Sequence, residues 1–134
     1  MNVRIPLAVA AMILVTASAC DRINRDQIVV SPQGNAQETQ GSVDQVLADV
    51  RAMLTLASFT RSSDYSGAEH WRWRDPNNPP GLGVALQREE GQLTIELSQD
   101  LLGNIGRTEK YLLVKATLID SLGGKYGKAN VHVN

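Results

Sequence analysis

The side chains that could do chemistry are few. His70 and His132 lie in two separate segments where apolar and polar residues alternate, so both rings can point to one side of a sheet. With Glu69 or Glu96 they would make a zinc ligand set. The commoner arrangement is a pair of solvated strand histidines, and no metal is expected. Ser62-Ser63-Asp64 sits in a polar stretch, not in the G-x-S-x-G turn that exposes a nucleophile. Gly81-Leu82-Gly83 lacks the third glycine and following helix of a dinucleotide fingerprint. Gly123-Gly124-Lys125-Tyr126-Gly127-Lys128 has a composition that suits phosphate but follows a helical pattern and lacks the P-loop Ser/Thr; it reads as a helix stop. Glu89-Glu90 belongs to a tight turn, and Glu96 with Asp100 has no cleft to span. No catalytic motif emerges, so neither enzymatic activity nor a cofactor is expected.

Trp71-Arg72-Trp73-Arg74 is the most distinctive segment. Strand alternation sends both indoles to a core and both guanidinium groups to water. The outward arginines, with Arg88 and with Asn77 and Asn78 of the Asp75–Gly81 loop, form a candidate partner-binding surface, because arginine is enriched at interface hot spots. Glu96 on a nearby strand is the competing partner for one of those arginines.

The only cysteine stands at Cys20. Before it come a short start with Arg4, an uncharged apolar run from Ile5 to Val15, and the small residues Thr16-Ala17-Ser18-Ala19. That is the layout of a secretory signal peptide over 1–19. Its apolar run falls short of the roughly 20 residues of a spanning helix. Ala17-Ser18-Ala19-Cys20 resembles the lipobox of bacterial lipoproteins, with Ala17 where leucine is commonest; ordinary cleavage after Ala19 is the rival. The resemblance implies a diacylglycerol on Cys20 and a domain held at the cell envelope, facing the periplasm. Asp21 resembles an inner-membrane retention signal, a rule that varies between bacterial groups, so inner and outer membrane both stay open. The expected partners are the membrane, through Cys20, and an envelope protein. Nucleic acid is not expected, because 13 Lys+Arg against 14 Asp+Glu leave no basic excess. The working expectation is a non-catalytic binding or assembly-accessory lipoprotein. The alternative is an inhibitor or immunity lipoprotein that inserts the Asp75–Gly81 loop into a toxin or wall-degrading enzyme.

Residues 20–41 are expected to be the lipidated cysteine and a flexible tether, polar throughout except for Ile28-Val29-Val30, a possible edge strand or docking contact. Such a tether could extend to roughly 70 Å. Residues 42–134 then form one small α+β domain. Ser42-Val43-Asp44-Gln45 reads as a capping box. Val43, Val46, Leu47, Val50, Met53, Leu54 and Ala57 make a helical stripe over 43–58. Strands are expected over 69–74, 84–88 and 92–98, the last two a hairpin around Gly91. Thr108 caps a second helix over 109–122 with Tyr111, Leu112, Val114, Leu118, Ile119 and Leu122 inward, ended by Gly123-Gly124, before a last strand over 129–133. The order is α-β-β-β-α-β, with two helices on one face of a mainly antiparallel sheet and an aliphatic core, since aromatics are only 4%.

Overall fold

The computed structural model describes residues 25–32, 36–62, 64–77, 80–100 and 106–134, with the backbone alone over 36–41. Among these residues the chain forms six strands and two α-helices. They are β1 (Arg25–Val30), α1 (Ala36–Leu56), β2 (Thr60–Arg61), β3 (Glu69–Trp73), β4 (Leu82–Glu89), β5 (Gln92–Gln99), α2 (Glu109–Tyr126) and, after one 3-10 turn, β6 (Val131–Val133). The sheet runs β2-β3-β4-β5-β1-β6, every neighbouring pair antiparallel. The fold is α+β, with both helices on one face of the sheet.

The first strand corrects the expected order. Arg25–Val30 is no tether and no edge: it lies between β5 and β6, with Ile28 opposite Ile95 and Val30 opposite both Leu93 and Val131. Its inward residues are Asp26, Ile28 and Val30, and both aliphatic ones are fully buried. β-branched residues suit this position, packing on both neighbouring strands. With the two-residue β2 also forming where no strand is expected, the order is β-α-β-β-β-β-α-β.

Both helices run further than expected. α1 starts at Ala36, so Ser42 lies inside it and no capping box forms there. Gly41 is carried in mid-helix at a cost of about 1 kcal/mol, offset by the stripe of Val43, Val46, Leu47, Val50 and Leu54 on the core. The helix ends in a Schellman turn: Ser58 takes φ +69°, its N–H donates to Thr55 O, and Phe59 N–H donates to Leu54 O. Phe59 thereby enters the core.

In α2 the Gly123-Gly124 pair does not stop the helix, which continues to Tyr126 and ends at Gly127, φ +97°. Gly123 is buried close to Lys128, and Asn130 Nδ2 donates to Tyr126 O, so tertiary contacts hold the last turn. The expected Thr108 cap is present: its Oγ1 accepts from Tyr111 N–H at 3.3 Å. Gln99 Oε1 at the end of β5 accepts from both the Thr108 N–H and its hydroxyl. Thr108→Ala should cost about 1 kcal/mol, seen as a lower urea midpoint at unchanged slope.

The hairpin forms as expected, with Glu89 opposite Gln92 and Gly91 at φ +76°. The core is one aliphatic cluster, with Trp71, Phe59 and Tyr111 as its buried aromatics.

Candidate binding surfaces

Trp71 is buried and Trp73 packs against the core, on the helix side of β3. Arg72 points the other way. Its Nη2 pairs with Asp100, 2.8 Å from Oδ2, and its guanidinium lies across Gly83 and Gly81. A Cβ at Gly83 would stand 3.0 Å from Arg72 Nη1, so glycine is what lets the arginine lie flat on the sheet. Glu96, the expected rival, pairs instead with Arg25 at 3.7 Å.

Arg88 does not join Arg72. In β4 it shares a side with Leu82, Val84 and Leu86, and it pairs with Asp44 of α1. The period of two in that strand carried this signal, and the expected surface is split between the two sides of the sheet. Arg74 is exposed just beyond β3, and Asn77 is exposed with its N–H donating to Asp75 Oδ1 in an Asx turn. Asn78 lies outside the described residues, as do the signal segment 1–19 and Cys20.

The histidines share a sheet face but not a site. β3 and β6 are four strand spacings apart, about 19 Å, beyond the reach of one ion. His70 stacks on Tyr65 with ring centroids 3.6 Å apart. Among the described residues no group of three or more His, Cys, Asp or Glu could hold a metal ion.

Two clusters invisible in the sequence hold the helices to the sheet. At one end of the inner face, Asp26 accepts from Tyr111 Oη at 2.6 Å and Arg107 Nε at 3.0 Å, and lies 3.2 Å from Lys115 Nζ. Burial alone would push its carboxyl up. The Tyr111 and Lys115 hydrogen bonds, with the charges of Lys115 and Arg107, outweigh that and hold it below the usual carboxylate range. The same contact and burial push the Tyr111 phenol well up. At the other end, Glu69 receives Arg51 Nη2 at 2.6 Å and Nε at 3.0 Å, Arg61 Nη2 at 3.0 Å and Trp71 Nε1 at 2.7 Å. The Arg51 hydrogen bond lowers its pKa most, against burial and with help from Trp71 and Arg61.

Two concavities flank these clusters. One, about 440 Å³, is walled by Arg51, Arg61 and Arg88 with Glu69 and Tyr65. The other, about 740 Å³, is lined by the apolar Trp73, Pro80, Leu112 and Leu113 together with Thr108, Glu109 and Lys110. Lys110 Nζ sits 5.1 Å over the Trp73 ring and donates to Ala57 O at 2.9 Å. Leu112, expected in the core, is half exposed. The α2 stripe is complete with Tyr111, Val114, Leu118 and Leu122, which leaves no inward place for Leu112 or Leu113.

No protein-family model and no curated protein matches this chain.

Proposed function

We propose that this chain is a bacterial envelope lipoprotein, acylated on Cys20, whose α+β domain faces the periplasm and binds a protein partner without catalysing a reaction. The observation that carries the reading is the sole cysteine, placed directly after Thr16-Ala17-Ser18-Ala19 at the end of an apolar run. No described helix is long and apolar enough to cross a membrane. Acyl chains, each buried CH₂ worth roughly 0.8 kcal/mol, supply the attachment. Asp26, Asp49 and Glu69, whose carboxyls are held below the usual range, each face donors on another element and join the pieces of the fold. Arg74, Asn77 and the arginine-walled concavity supply exposed polar groups for a partner.

Cys20→Ser tests both halves. The variant should lose metabolic lipid label and leave the membrane fraction. Crosslinked envelopes should give one dominant protein adduct with the unaltered chain and lose it with the variant. Unchanged attachment overturns the anchor; an unaltered chain that yields no adduct overturns the binding role.

A further inference from the structure

The anchor reading, combined with the path of β1, gives the domain an orientation. Only residues 21–24 separate Cys20 from Arg25, the first residue of the sheet. Fully extended, that link reaches roughly 18 Å, a small fraction of the tether expected from the sequence. One end of the sheet is therefore held against the membrane. Register says which end: Arg25 is opposite Ser98, Leu82 is opposite Gln99, and Trp73 is opposite Leu82. Gln99 holds Thr108 at the start of α2, so the first turns of α2 lie at this end as well.

Three exposed leucines stand at this end, while the exposed Tyr65 stands at the opposite one. Leu112 and Leu113 are 50% and 64% exposed within the first two turns of α2. Leu56 is 86% exposed at the end of α1, which Lys110 ties to α2 through Ala57 O. Between the leucines and the sheet lies the groove with Trp73 and Pro80. Large apolar side chains exposed together at one end of a domain mark an interaction site. Arg25, Arg74, Arg107 and Lys110 belong to the same end, with the acids Asp26, Asp75, Asp100 and Glu109; Arg107 pairs with Asp26, Arg25 with Glu96 and Arg72 with Asp100, so this end carries both signs. Exposed leucines beside a long side chain such as Lys110 suit the boundary between acyl chains and headgroups, where the amine reaches phosphate while its stem stays in apolar surroundings.

We propose that this end of the domain, centred on Leu56, Leu112 and Leu113, is a membrane-docking surface that seats on the bilayer holding acylated Cys20. The proposal rests on the lipoprotein reading. Because the acyl anchor makes docking intramolecular, a weak apolar contact suffices to fix the orientation. Docking would aim the opposite end, with the Glu89–Gln92 turn and the arginine-walled concavity, away from the membrane toward a partner.

The full-length acylated protein tests this in vesicles of phosphatidylethanolamine and phosphatidylglycerol carrying spin-labelled lipid. Glu109→Cys and Glu90→Cys place a fluorophore at the two ends, both at exposed glutamates. Quenching at 109 should exceed that at 90 several-fold, and adding Leu112→Ser/Leu113→Ser should bring 109 down to the level of 90. Equal quenching at both sites, or no response to the serines, overturns docking. A fluorophore at 109 that is shielded without lipid, and more so as protein concentration rises, overturns it in favour of a second copy as occupant. Mass spectrometry of the terminal peptide separates the two claims. An unacylated Cys20 brings down the anchor and the orientation together, whereas an acylated terminus with equal quenching brings down docking alone.

Discussion

Asp26→Ala should lower the unfolding free energy by about 3–5 kcal/mol, the range for removing one partner of a buried ion pair. The carboxylate is 8% exposed and joins β1 to Arg107, Tyr111 and Lys115. Its removal takes this partner away from two cations and a phenol on the inner face. Arg107 and Lys115 keep about a quarter of their side-chain surface in water and can rehydrate, which places the expected loss at the low end of that range. Tyr111 is fully buried and keeps Arg107 and the Leu97 carbonyl, the latter 3.2 Å from its hydroxyl. At about 4–8 °C per kcal/mol for a domain near this size, the melting temperature should fall by more than ten degrees. Tyr111→Phe, which leaves the carboxylate both cations, should cost roughly 1.5–3 kcal/mol, as for one hydrogen bond to a charged group.

The effect of acid follows from the direction of the shift. A carboxylate held below its unfolded value of 3.8 contributes its full stabilisation above that pH and loses it as pH falls through the folded value. The gap between the unaltered chain and Asp26→Ala should therefore be constant near neutrality and close below about pH 4. An unfolding free-energy difference under roughly 1 kcal/mol at pH 7, read from urea titration, or a gap that widens in acid, would show that Asp26 does not stabilise the fold.

Asp26 is also where local reading of the sequence stopped working. Arg25-Asp26-Gln27 has the composition of a linker, and the partners that make an inward aspartate tolerable lie 81 and 85 residues away along the chain. Nothing within a few residues reveals them. The β4–β5 hairpin and the Thr108 cap were legible because their causes are local: a glycine at a turn needing positive φ, and a hydroxyl three residues before an N–H. The reach of α2 past Gly123-Gly124 was not, because Lys128 and Asn130 support that turn from outside the helix. The sheet face of each histidine could be read from alternation, but their separation depends on strand order, which pairing across the whole sheet decides. Arg88 is different: the run Val84, Leu86, Arg88 already assigned it to the core side. The exposed leucines also left a trace, since Leu112 and Leu113 follow Tyr111 directly and three consecutive residues cannot share one narrow helical stripe.

Glu69→Ala should cost about 2–4 kcal/mol, and more than Arg51→Ala, although the two side chains form one ion pair. Hydrogen bonds to a charged group are each worth roughly 1.5–3 kcal/mol, and an abandoned buried donor costs a further 1–3. Glu69 is 8% exposed and accepts from the Trp71 indole, so its loss leaves a buried N–H without that partner. Arg51 is 41% exposed, and solvent screening discounts its share of the attraction. When Arg51 is removed, the carboxylate keeps Arg61 and Trp71. The asymmetry is therefore a property of burial rather than of charge, and equal losses for the two variants in urea would contradict it. The double variant should cost less than the sum of the singles, because Glu69→Ala already removes what Arg51 contributes there. Glu69 also joins α1 to β2 through Arg51 and Arg61, two walls of the smaller concavity. Its loss should loosen that surface ahead of the core, read as faster amide exchange at Thr60 and Arg61 than at Ile95. Uniform acceleration at all three positions would mean that Glu69 supports the fold as a whole and leaves the shape of the cleft to other groups.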